Sequence, residues 1–159
     1  MDRDMSGFTL PMAALDAVPV MLFACGSAAF SRLLESGVFT LGGCVCAAAG
    51  ACKVSWKAVL GAKQRDVEIL NGVFHALMPA GFCLMLAGAA LKPKHTAAAL
   101  LKLLGRPQRL YFGIGAAGMA LLGVLNKKLD FSKPAANWAG EIVNTASQGA
   151  VAAGLLLMK

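Results

Sequence analysis

The chain has 159 residues, of which 58% are hydrophobic and 14% charged, with a mean hydropathy of +0.67. Soluble domains carry about 45–50% apolar and about 25% charged residues, so this composition excludes an ordinary soluble domain and points to a protein integral to a lipid bilayer. The net charge of +7 does not indicate nucleic acid, because the basic residues lie in short segments between apolar runs, without a basic surface interleaved with aromatics.

The first apolar run predicts a membrane-spanning helix over residues 8–31. Thr9 is placed to cap it and Pro11 to occupy its first turn, while Pro19 removes a backbone donor and introduces a kink. The run is too long for a signal-peptide core and no small-x-small cleavage pattern closes it, so it is expected to be retained. Asp16 lies inside it. A short link returns the chain antiparallel into a second span over residues 38–60. Its first half, VFTLGGCVCAAAGAC, consists almost wholly of small residues that permit close helix contact. Lys53 and Lys57 follow at i and i+4 beside Trp56, the pattern of a membrane interface, where aromatic rings settle and lysines reach for headgroups. Lys57 is expected to be such an anchor. Lys53 sits deeper and is a candidate partner for a buried acid.

A third span is predicted over residues 69–91, with Asn71, His75, Met78 and Phe82 on one face and Pro79 as a second kink. The next segment, KPKHTAAALLKLLGRPQR, holds five of the fifteen basic residues. Thr96 and Gly105 read as its helix start and stop signals, so it predicts a short basic helix in the headgroup plane. A glycine-rich fourth span follows over 110–126, ended by Lys127 and Lys128, and a fifth over 135–158, started by Pro134 or Asn137. The expected fold class is an all-α integral membrane protein with one membrane domain over residues 1–159. It forms a compact bundle of about five transmembrane helices with a short basic interfacial helix between spans three and four.

The cysteines, Cys25, Cys44, Cys46, Cys52 and Cys83, all fall within apolar runs, where a thiol acts as a small hydrophobe. On a helix the side chains of Cys44 and Cys46 point about 200° apart, which is no metal spacing, and the odd count argues against a disulfide framework.

The closing helix carries the most unusual pattern. Glu141, Asn144, Thr145 and Gln148 recur at i, i+3, i+4 and i+7 on one face, opposite a small-residue stripe of Ala146, Ala150 and Gly154. Polar side chains in so apolar a segment need partners inside the protein. Alternating five spans puts the starts of the odd ones and the ends of the even ones on one side of the membrane. Asp16, Lys53, Asn71, His75 and Glu141 then share one half of the bilayer, and Gln148 reaches the midplane. Facing segments such as 42–49, 83–90 and 113–118 carry no charge. The pattern predicts a polar vestibule open to one face above a closely packed floor. Helix-end electrostatics and interhelical adhesion offer the same residues a purely structural role.

On this pattern the expected function is binding or transport of a small polar or ionic solute. Glu141, Asp16 and His75 would bind or relay a proton or cation, Lys53 would balance an acid, and Asn144, Thr145 and Gln148 would hydrogen-bond the solute, with Asn71 close to His75. One alternative is a non-transporting sensor or accessory subunit docking through the small faces of spans two and five. Another is an intramembrane enzyme using Asp16, His75 and Glu141 as acid–base groups or metal ligands, for which no HExxH, nucleophile motif or phosphate-binding loop is present. No catalytic residue, cofactor or metal site is assigned. The expected partners are the lipid bilayer and either a second copy of the chain or a membrane partner subunit, because five short spans enclose little volume. Leaving aside Lys53 and Lys57, the vestibule side carries six basic residues and the other side seven. That count hardly separates the two sides, and the acid-free basic link between spans three and four tips the expectation toward its side being cytoplasmic, in a plasma (inner) membrane, with the vestibule facing outward.

Overall fold

Six helices and no strand occur among the described residues, which are 8–105, 107–131 and 133–158 of this computed structural model. They are α1 (Leu10–Leu34), α2 (Gly37–Lys63), α3 (Glu68–Ala90), α4 (Pro93–Leu103), α5 (Gln108–Lys128) and α6 (Pro134–Leu156). Four of them, α1, α2, α3 and α5, are long and apolar enough to cross a membrane. The 23-residue α6 has similar length but is interrupted by its polar stripe and does not join that set.

Local chemistry sets the helix ends. Glu35, at a left-handed φ of 49°, turns the chain out of α1. Ser36 then caps α2: its Oγ accepts from the Phe39 N–H at 3.3 Å and donates to the Gly88 carbonyl at 3.0 Å, tying the start of α2 to the end of α3. Two expected caps differ. Thr9 holds the N-cap position of α1 without a side-chain cap bond. Thr96 lies inside α4, which begins at Pro93, and its hydroxyl donates to the Ala89 carbonyl at 2.8 Å. Proline explains the earlier start, since it needs no amide partner in a first turn.

The long helices form a row in the order α3, α2, α1, α6, α5, with α1 packed on both α2 and α6. The pairs α2/α3 and α5/α6 are close because glycines face the neighbour. A Cβ on Gly42 would lie 2.6 Å from the Met85 backbone nitrogen and 2.7 Å from the Gly81 carbonyl oxygen, and one on Gly118 would overlap the Ser147 hydroxyl.

Two apolar clusters mark the ends of the bundle. Phe8, Met12 and Leu60, with Trp56 and Trp138, close one end, and Trp56 Nε1 donates to Asp66 Oδ1 at 2.8 Å beside it. At the other, Leu34, Phe39 and Ala99 gather Phe30, Leu33, Met85 and Ala89, with α4 laid against α1 and α3.

Thermal unfolding in detergent checks the glycine contact. Gly42→Ala is expected to lower stability by about 1–3 kcal/mol, the cost of overpacking against backbone that cannot yield. Gly123→Ala, where a Cβ meets nothing within 4 Å, is expected to be neutral or to gain up to about 1 kcal/mol of helix propensity.

Candidate functional site

Because α1 lies between α2 and α6, their facing side chains converge. Asp16 stands early in α1, Lys53 and Lys57 late in α2, and Glu141 early in α6. The antiparallel run of α2 against α1 brings these positions to one level. Lys57 Nζ lies 2.6 Å from Glu141 Oε1 and 3.2 Å from Asp16 Oδ2. Lys53 Nζ lies 3.4 Å from Glu141 Oε1 and 3.5 Å from Asp16 Oδ1. Each ammonium therefore touches both carboxylates, and the set of four is electrically neutral.

Lys57 and Asp16 are 1% exposed and Glu141 5%. Lys57 is thus not the interface anchor its neighbourhood of Trp56 suggests. It is the centre of the ion-pair set, and the reason is physical: with two acids buried, a second cation within reach is drawn inward rather than left to snorkel. Burial leaves Glu141 Oε2 and Thr145 Oγ1 without a hydrogen-bond partner, whereas Asp16 Oδ2 is held by the Lys57 ammonium alone. Lys53 is the outer cation. Its side chain remains 28% exposed, and Nζ sits 5.4 Å from the centroid of the Phe74 ring, within cation–π range.

A cleft of about 290 Å³ adjoins this set and is lined from all five long helices. It exists because α3 and α5, at the two ends of the row, do not pack closely on one another. Counting along each helix at about 1.5 Å per residue orders the lining by depth. Asp16, Lys53, Phe74, Asn126 and Asn144 stand on the side of the charges, and Phe23, Cys46, Phe82 and Gln148 lie deeper, with Met78 and Met119 between. Pro19 is buried in the same wall. Cys46 is not idle there, since its thiol donates to the Met78 carbonyl at 3.7 Å.

The residues singled out in the sequence separate into two groups. Asp16, Lys53 and Glu141 meet directly, and Asn144 and Gln148 line the cleft. Thr145, Asn71 and His75 do not line it. Thr145 is half-buried, as is Asn71, and His75 is exposed, with its ring centroid 5.1 Å from that of Phe74. The face of α3 that borders the cleft is therefore Phe74, Met78 and Phe82, one position back from His75. Lys57, Asn126 and Phe74 were not singled out. A charge count would have found Lys57, because two buried acids call for two cations on facing helices. Asn126 ends an apolar run beside two lysines and carries no such signal.

Small faces that might dock a partner subunit are occupied within the chain. Gly42 meets α3, Gly50 meets Val20 of α1, and Gly154 meets Tyr111 and Phe112 of α5. Among the described residues no group of three His, Cys, Asp or Glu side chains is placed to hold a metal ion. Compared with known protein families, curated proteins and solved structures, the chain matches none.

The ion-pair set predicts a specific pattern of instability. Lys57→Met leaves an acid uncompensated and is expected to cost about 3–5 kcal/mol, whereas Lys57→Met combined with Glu141→Gln restores neutrality and recovers most of the loss. Thermal or denaturant unfolding of the two variants in detergent measures the difference, and additive losses would contradict the pairing.

Proposed function

We propose that the chain is a small-solute binding or transport protein of a plasma membrane, with the cleft beside the buried charges as its site. In this reading α6 is a fifth span. Glu141 is tolerated in it because its carboxylate is turned onto α1 and α2 and neutralised there, away from lipid. The short α4, with Lys94 and Lys102 exposed and Ala99 buried, lies in the headgroup plane. The cleft's charges stand at the opposite end from this helix, which makes the vestibule one-sided. The basic link faces the cytoplasm, the charges face outward, and the working form is a homo-oligomer.

The observation that carries the reading is the position of Lys53. A set of charges that merely glued three helices would be sealed on every side. Lys53 instead shares both acids and still borders a cleft walled by Asn144 and Gln148. Asp16 and Glu141 would bind or relay a proton or cation, and Lys53 would balance them. Asn144 and Gln148 would hydrogen-bond the solute, and Pro19, which breaks the backbone bonding of α1 in the cleft wall, would be the flexible point.

A membrane-impermeant thiol reagent applied to the protein in sealed vesicles tests the vestibule, after the native cysteines are replaced. Gln148→Cys is expected to label from one side only, while Leu155→Cys stays unreacted from both. Equal labelling of the two positions would overturn it.

A further inference from the structure

The charges around the cleft restrict what it accepts, and this step rests on the reading just given. Of the four ionised groups, Lys57, Asp16 and Glu141 are almost completely buried among themselves, and only the Lys53 ammonium is partly exposed. Its contacts to the two acids, 3.4 and 3.5 Å, are also longer than the 2.6 Å contact of Lys57. The charge a solute meets is therefore a loosely held cation. Past it the wall becomes mostly apolar, with Phe23, Met78, Phe82 and Met119 beside Cys46 and the neutral Gln148.

An anion drawn to Lys53 alone would leave one net negative charge inside the protein, beside two carboxylates. That arrangement is costly in a low-dielectric interior. The ionisable groups that face it are Asp16 from α1, Lys53 and Lys57 from α2, and Glu141 from α6. From α3 and α5 no ionisable side chain lines the cleft: His75, Lys127 and Lys128 are exposed, and Asn126 is neutral. One proton restores balance. An acceptor is present for it, because Glu141 Oε2 is buried without a hydrogen-bond partner, while Asp16 Oδ2 is held only by the Lys57 ammonium at 3.2 Å, and protonation turns such an oxygen into a donor.

We propose that the cleft binds a small monoanion with a short apolar body, a monocarboxylate being the type, together with one proton taken from the aqueous phase onto the Asp16–Glu141 pair. The anionic group sits at Lys53 with Asn126 and Asn144 beside it, and the apolar body lies against Phe74 and Met78, above the edge-to-face pair of Phe23 and Phe82. Two positive and two negative charges before binding become two positive, one carboxylate and one bound anion after it. The loaded site is as neutral as the empty one.

Calorimetry on the purified full chain in nanodiscs tests this, with benzoate, benzylamine, benzyl alcohol and phenylalanine as probes. Benzoate is expected to bind at least about tenfold more tightly than the other three, the size of one charge-assisted hydrogen bond. Titration in two buffers of different ionisation enthalpy is expected to give uptake of about one proton per benzoate, by the charge balance at this site. Lys53→Gln is expected to weaken benzoate about tenfold or more. If that variant does not fold, Met78→Trp, which fills the cleft and leaves the charges intact, is expected to abolish binding. Preference for benzylamine, benzyl alcohol or phenylalanine overturns the proposal, as does benzoate binding without proton uptake, or no binding of any probe. In each of those cases one-sided labelling of Gln148→Cys leaves the vestibule standing, and its failure removes the vestibule as well.

Discussion

A charge buried in an apolar bundle must find its opposite, and here four of them find one another. Lys57, 1% exposed, touches both Asp16 and Glu141, so one ammonium ties α1, α2 and α6 together. The order of the helices is compatible with that requirement. α1 lies between α2 and α6, their charged side chains turn toward one another, and the exposed surface carries large apolar side chains such as Leu10, Met21, Leu41 and Ile142.

The glycine contacts serve the same end from the other side. By bringing α3 close to α2 and α5 close to α6, they make two compact pairs that hang on α1. Lipid supplies no hydrophobic push between helices, so close backbone approach supplies the contact instead. Two pairs on one central helix leave a gap where their outer members fail to meet. The cleft is that gap. Its polar rim and apolar depth are consequences of where the charges stand on the helices, early in α1 and α6 and late in α2.

Much of this was legible in the chain and some was not. Runs of uncharged residues place the long helices to within a few residues, and alternation of spans brings Asp16, Lys53 and Glu141 to one level before any coordinates are known. The stripe on α6 includes Asn144 and Gln148, which line the cleft. What sequence reasoning missed is rotational. A shift of one position on α3 separates His75 from Phe74, and about 100° of helix rotation sends the first outward and the second onto Lys53. Lys57 was obscured for a related reason: beside Trp56 it has the surroundings of an interface lysine, and only the presence of a second buried acid on a distant segment draws it inward. Thr145 shows the limit of a stripe argument, since it shares the helix face of Glu141 yet its hydroxyl is buried without a partner.

Infrared difference spectroscopy in lipid at neutral pH, comparing the unmodified chain with Glu141→Gln in the absence of added anions, tests the central claim most directly. If Glu141 is the shared partner of Lys53 and Lys57, the difference spectrum loses the stretch of an ionised carboxylate. Loss of a protonated carboxyl stretch instead would contradict the ion-paired centre on which the arrangement of α1, α2 and α6 depends.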